Sequence, residues 1–275
     1  MNRGPRFPMS LLRFWLGRIL LGWCLIALMI FLMQIAICGI VHDNEKVKML
    51  LQFLDALPAF LKTSLGGESL QAGNLPALIS IGYHHPLVLS LYLLFAVGAP
   101  TGMLAGEVQR GTMELILSRW TTKIQVYICA GVVSVTGMIA LVLVMFLGTV
   151  AATNLYDFGQ PVPLYPFFQT AVNGGLLAGA IGAISLLTAA SFRRRGTAVG
   201  VAVAFIAVNY FVAIISESWP RMQWLSPLTV FHYIHGRGVF SEHIWPVSDM
   251  LVLGGILSLA AVSGAVIWQR RDLPL

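Results

Sequence analysis

Six apolar runs divide the chain. They cover roughly 19–41, 86–105, 124–150, 170–190, 197–216 and 250–268. Each is close to the length of about 20 residues that an α-helix needs to cross a hydrocarbon core. In lipid the backbone has to satisfy its own hydrogen bonds, so such runs predict helices. The pattern therefore predicts an all-α integral membrane fold, a single transmembrane domain over 1–275 with six transmembrane helices. A basic arm over 1–18, with Arg3, Arg6, Arg13 and Arg18 among Phe7, Phe14 and Trp15, is expected to lie as a helix in the headgroup layer. The run after it is long and lacks a small-x-small cleavage site, so it is expected to remain as the first span.

The polar stretches between the runs differ in kind. Segment 106–122 carries Glu107, Arg110, Glu114 and Arg119. Each would cost about 2.5–3.5 kcal/mol at mid-membrane, so the segment does not cross. Met113, Ile116, Leu117 and Trp120 recur at i, i+3, i+4 and i+7, one face of a helix. The spacing predicts a short amphipathic helix along the membrane surface, starting after Gly111 with Thr112 as N-cap and Glu114 in the first turn. This is where the chain is expected to receive force from a partner. Segment 42–85 repeats leucines at helical spacing from Val47 to Leu65, with Pro58 inside and Gly66-Gly67 beyond. It predicts an amphipathic extracytoplasmic helix, broken near the proline, that serves either as a lid or as a gate. Segment 217–249 mixes Trp219, Trp224, Tyr233 and Trp245 with Pro220, Pro227 and Pro246. Interfacial aromatics and broken or re-entrant turns are expected there. In the fourth run Gly175, Gly179 and Ala183 make a small-xxx-small face, suited to intrachain packing or to a dimer seam.

Composition strengthens the membrane reading. The 275 residues are 57% hydrophobic and 10% charged, with mean hydropathy +0.82, whereas a soluble domain carries about 25% charge. The net charge of +6 is scattered at the ends of runs. It points to topology and anionic lipid rather than nucleic acid. With the N-terminus inside, Arg3, Arg6, Arg13, Arg18, Arg110, Arg119, Lys123, Arg193, Arg194, Arg195, Arg270 and Arg271 face the cytoplasm, against Lys46, Lys48, Lys62, Arg221 and Arg237 outside. Twelve against five predicts that both termini are cytoplasmic, together with 106–122.

Chemistry is sparse. Within the runs the notable polar groups are Gln34, Asn173 and Asn209, read as interhelical hydrogen bonders ahead of ligand contacts. No intramembrane carboxylate or cation offers ion coupling. There is no phosphate loop, and none of the hydrolase or zinc-protease motifs occurs. Cys24, Cys38 and Cys129 have no metal spacing. His42, His84, His85, His232, His235 and His243 all fall on the outer side. A metal site built from them would need distant pieces to converge. A membrane hydrolase built on Ser185 or Ser191 would need a histidine from the opposite side, and a channel or scaffold is the other alternative. If the chain moves something, the energy enters from outside it.

The run Glu107-x-x-Arg110-Gly111-Thr112-x-Glu114-x-x-Leu117-Ser118 resembles the E-x-x-x-G-T-x-E/D-x-L-L-S segment of ABC-2 type permeases, and the NosY-like subgroup most. Leu57-Pro58-Ala59-Phe60 through Gly66-Gly67, and Trp268-Gln269-Arg270-Arg271-Asp272-Leu273, are similar to that family's first extracytoplasmic segment and its closing F-x-R-R-D-L. Arg119-Trp120 stands where the family often has a proline. The resemblance implies a permease subunit, an exporter in family terms, in a bacterial-type cytoplasmic membrane. It pairs with a second permease copy or paralogue and with an ABC ATPase subunit. ATP and Mg would be bound by that ATPase, and the chain itself would have no cofactor, metal or catalytic residue. Glu107, Arg110, Gly111, Thr112, Glu114, Leu117, Ser118 and Arg119 would form the ATPase-coupling segment. The cargo is left open between an amphiphile, a lipid-linked species or a drug, with force transduction to an extracytoplasmic partner as the other role.

Overall fold

The computed structural model describes residues 8–43, 45, 47–49, 52, 75–119, 121–234 and 245–272. The leucine-rich helix expected around Pro58 lies outside them, as do Trp120, His235 and His243. Nine α-helices follow among the described residues: α1 (Met9–His42), α2 (Leu75–His84), α3 (Pro86–Met103), α4 (Ala105–Gln109), α5 (Thr112–Leu117), α6 (Lys123–Leu155), α7 (Leu164–Ser191), α8 (Arg195–Ser218) and α9 (Val247–Arg270). Two 3-10 turns, Pro220–Leu228 and Val230–Tyr233, follow α8. They supply the proline-broken backbone expected there. Six helical units are long and apolar enough to cross a membrane: α1, α2 with α3, α6, α7, α8 and α9. This is the architecture of a multi-pass membrane protein.

The helices run past the apolar runs that announced them. At 34 residues, α1 is about 50 Å long, well beyond a core of about 30 Å. Arg13 and Arg18 therefore extend the first span itself, instead of forming a separate surface helix. Local signals set the other starts. Thr122 and Gln125 form a reciprocal capping box that begins α6, satisfying two orphan amides. Pro86 occupies the first turn of α3, with His85 Nδ1 accepting from the Leu87 amide at 3.2 Å.

Helix α7 is the hub. It packs against α9, α3, α6 and α8, while α1 packs chiefly on α6 and α2. Small residues permit this. A Cβ at Gly175 would sit 2.6 Å from Val142 Cγ2, and one at Gly179 would sit 3.1 Å from Leu257. The small-residue face is thus consumed by α6 and α9 within the chain. Across the interface Gly264 of α9 lies against α7, where a Cβ would meet the Leu187 Cα at 3.1 Å and collide with the Tyr127 hydroxyl. That hydroxyl donates to the Ala261 carbonyl at 2.8 Å.

All three intramembrane amides bridge elements. Gln34 Nε2 on α1 donates to Thr149 Oγ1 on α6 at 3.0 Å, and Tyr83 on α2 joins the same hydroxyl at 2.6 Å. Asn173 Nδ2 donates to the Tyr233 carbonyl at 3.0 Å. Asn209 donates within its own helix to Phe205 and accepts the Val230 amide at 3.2 Å, so it pins a 3-10 turn to α8.

Close approach at Gly264 yields a sharp contrast. Gly264→Ala should lose about 1–3 kcal/mol through overpacking. Gly254→Ala on the same helix meets nothing within 4 Å and should be neutral or gain up to about 1 kcal/mol of helix propensity. Thermal unfolding of the two detergent-solubilised variants checks this; equal midpoints would contradict the described α7–α9 contact.

Candidate functional site

Segment 106–122 lies at the end of the bundle where basic residues collect. Four contacts define that end. Arg18 meets Glu107, Gln109 Oε1 accepts the Arg195 amide at 2.8 Å, Lys123 Nζ donates to the Arg271 carbonyl at 2.8 Å, and Arg271 Nη1 donates to the Ala190 carbonyl at 2.7 Å. Termini of α1, α3, α6, α7, α8 and α9 are thereby tied together around the segment.

The segment itself is an elbow of two short helices: α5 starts after Gly111 where the spacing put a helix, and α4 precedes it. Helix α3 carries Pro100 near its end and bends at Leu104 into α4. Arg110 closes α4, and Gly111 turns the chain with φ +73°. That left-handed conformation is strained for any residue with a side chain and open to glycine. Helix α5 starts at Thr112, so Gly111 is the N-cap and Thr112 is already helical.

Thr112 has other work. Its hydroxyl donates to Glu107 Oε2 and lies 3.2 Å from the Glu107 carbonyl. Glu107 is 2% exposed, which a carboxylate tolerates only when paired and hydrogen-bonded. Its Oε1 accepts from Arg18 Nη1 on α1 and from Arg110 Nη2 at 2.8 Å. Arg110 also reaches the Gly102 carbonyl at 3.5 Å. Both ion pairs among the described residues converge on this one carboxylate. Under the resemblance, Glu107 is offered as a charge presented to a partner. It is instead the internal anchor of the elbow, because Arg18, 89 positions earlier, arrives from another helix. Arg18 is the residue missed there; its position at a basic helix start gave no hint of the pairing.

The outer surface of α5 is different. Met113 is buried, and Ile116 and Leu117 are half-buried. Glu114, Leu115, Ser118 and Arg119 are exposed, Leu115 by 67%. The elbow therefore offers a ledge of one acid, one base and one large apolar side chain. Its underside is fastened to α1, α3 and α4.

The remaining candidates do not assemble into chemistry. Ser185 Oγ donates to the Ile181 carbonyl and Ser191 Oγ to the Leu187 carbonyl, each at 2.8 Å. Both are back-bonds within α7. Ser226 and His232 Nδ1 lie 2.6 Å apart, a local contact inside the 3-10 turns. At the far end, an open cleft of about 790 Å³ is lined by Gly39, Ile40, His42, Asp43, Glu45 and Tyr156, among others. His42 stacks on Tyr156 there, 5.5 Å between ring centres. Among the described residues no group of three His, Cys, Asp or Glu comes together as a metal site.

Removing the anchor tests its role in the elbow. Glu107→Gln should destabilise by about 1–3 kcal/mol, since Arg18, Arg110 and Thr112 all lose a charged acceptor. Arg18→Gln should cost less, because Arg110 remains. The Arg18→Gln/Glu107→Gln cycle should show coupling of about 0.5–3 kcal/mol, read from unfolding midpoints. Additive effects would mean that the contact contributes nothing.

A scan against protein-family models finds no match for this chain, and a search of the curated proteins finds none.

Proposed function

We propose that the chain is the permease subunit of an ABC-2 type ATP-binding cassette transporter, with both termini cytoplasmic in a bacterial-type inner membrane. A separate ABC ATPase binds ATP and Mg, a second permease copy or paralogue completes the pathway, and membrane lipids surround both. The α4–α5 elbow is the coupling element, and it carries this reading. An exposed ledge of Glu114, Leu115, Ser118 and Arg119 stands on a buried ion-pair anchor. It joins the second and third spanning units.

The elbow suits force transfer for a physical reason. A rigid lever needs an end that a partner can grip and a base that does not yield. Glu114 and Arg119 give charge complementarity to a partner, and Leu115 gives apolar contact. Glu107 fixes the base to α1 through Arg18 and to α5 through Thr112. Movement of the ledge would therefore carry the starts of α1 and α6 and the end of α3 together, as rigid-body switching requires. The sparse charge within the spans supports external energy input and an amphiphilic, lipid-linked or drug-like cargo.

Two measurements test the reading. Ser118→Cys in a Cys24→Ser background should react with a membrane-impermeant maleimide in inverted vesicles and not in intact cells; labelling from the outer side overturns the mechanism. When the chain is co-expressed with a P-loop ATPase encoded beside it, Glu114→Arg and Leu115→Asp should reduce ATPase retention at least about tenfold, the effect of losing roughly 1.4 kcal/mol at an interface. Their unfolding midpoints should stay at the wild-type value. Full retention in both variants favours an uncoupled channel or scaffold.

A further inference from the structure

Among the described residues the bundle is open between α8 and α9, except where the Val230–Tyr233 turn packs on α7, α8 and α9. Both helices pack on α7, α8 continues onto α3 and α9 onto α6, and the two make at most marginal contact with each other. This leaves a cleft floored by α7. Its walls are helices whose most apolar stretches are only 17% buried. Val201 and Val208 are exposed on α8, and Val262 and Val266 on α9.

At the basic end the cleft has a cationic mouth. Arg271 Nη1 donates to the carbonyls of Ala190 at 2.7 Å and Phe192 at 3.2 Å. This clasp draws the end of α9 to the α7–α8 turn, and with it Arg270. Arg193, Arg194, Arg195 and Arg270 are exposed. Arg195 turns toward α3, its guanidinium 3.7 Å from where a Gly102 Cβ would be. Burial, and then the nearby charge of Arg193, lower the Arg271 pKa from its usual value. The second terminal nitrogen of Arg271, Nη2, is buried with no hydrogen-bond partner. Among the described residues the ion pairs both go to Glu107; beside this cluster of five arginines stands one exposed carboxylate, Asp272. Crowded like charges of this kind call for an anion.

We propose that the α8–α9 cleft is a binding site for an anionic phospholipid, its phosphate at Arg193, Arg194 and Arg270 and its acyl chains along the exposed faces of α8 and α9. The cations stand where two spanning helices end, at headgroup depth, and the cleft beyond them is apolar. That combination fits an amphiphile with a negative head. A second copy of the chain would bring the same arginines to a cationic rim and meet repulsion, which argues against it as the occupant. The site is independent of any ATPase.

Native mass spectrometry of the full chain reads the binding. Phosphatidylglycerol should be retained over phosphatidylcholine. Arg193→Gln/Arg194→Gln should weaken that retention about fivefold for each arginine removed, the equivalent of about 1 kcal/mol per basic residue. Arg13→Gln/Arg119→Gln removes two exposed charges from the same end and should change it less than about twofold. Equal loss in both double variants, or no preference for the anionic lipid, overturns the proposal. A second measurement needs no variant. Phosphatidylglycerol carrying a diazirine acyl chain should label 195–218 and 247–270 of the wild-type chain in excess over its phosphatidylcholine analogue. An identical labelling pattern for the two lipids overturns the site, and a chain found dimerised through α8 in the same vesicles assigns the cleft to a second copy.

Discussion

A single carboxylate governs the basic end of this protein. Glu107 sits almost wholly out of water at the turn between two short helices. Burying an ion there is costly, and the surrounding chain is arranged to offset it. Arg18 comes from the first span, Arg110 from the end of α4 and Thr112 from the start of α5. The left-handed turn at Gly111 follows from the same demand. Only a chain that doubles back at once can return the Thr112 hydroxyl to the carboxylate while α5 departs in a new direction. Anchor, turn and ledge are one device. It makes the first span mechanically continuous with a loop that follows it by some ninety positions.

The bundle above this device is organised by size rather than charge. Helices in lipid gain no hydrophobic advantage from touching each other, so packing depth and hydrogen bonds decide which faces meet. Helix α7 touches four neighbours because its small residues admit Val142 and Leu257 close to its backbone. Helix α1 has few such residues. It leaves Leu20, Leu21, Leu25 and Leu28 exposed and is tied to α6 and α2 by the Gln34–Thr149–Tyr83 cluster. Helix α3 touches both groups and bends at its end into the elbow. Displacement of the elbow therefore has a direct route to both halves of the bundle.

The spans were legible in the sequence, and the elbow was legible only in part, for one physical reason. An apolar run of bilayer length has a single stable outcome in lipid, so six runs gave six spanning units. Their ends were read short because hydropathy falls at the headgroups while the helix does not stop. Arg13 and Arg18 continue α1, and Thr153 and Asn154 continue α6. The small-xxx-small face was readable because close approach leaves a residue-size signature. The burial of Glu107 was not legible, because only a distant partner, Arg18, makes it tolerable. Thr112 was taken as a cap for the same reason. As a cap its hydroxyl would accept a backbone amide; beside the Glu107 carboxylate it donates instead.

Burying Glu107 also shapes the surface that remains. The basic end has few acids, and one of them is consumed internally by Arg18 and Arg110. The surface consequently separates into two zones. On α5, Glu114 and Arg119 stand on either side of Leu115, a mixed pattern that a folded partner can match charge by charge. Around the ends of α7, α8 and α9 the exposed charges Arg193, Arg194, Arg195 and Arg270 are cationic. Such a rim has little to distinguish one protein surface from another, yet it suits the uniform negative plane of a lipid headgroup layer. The ledge can take directional load, and the rim can hold the bundle at a fixed depth against it. A lever works only against a fulcrum that stays put, and the proposed mechanism gains one in the cationic rim.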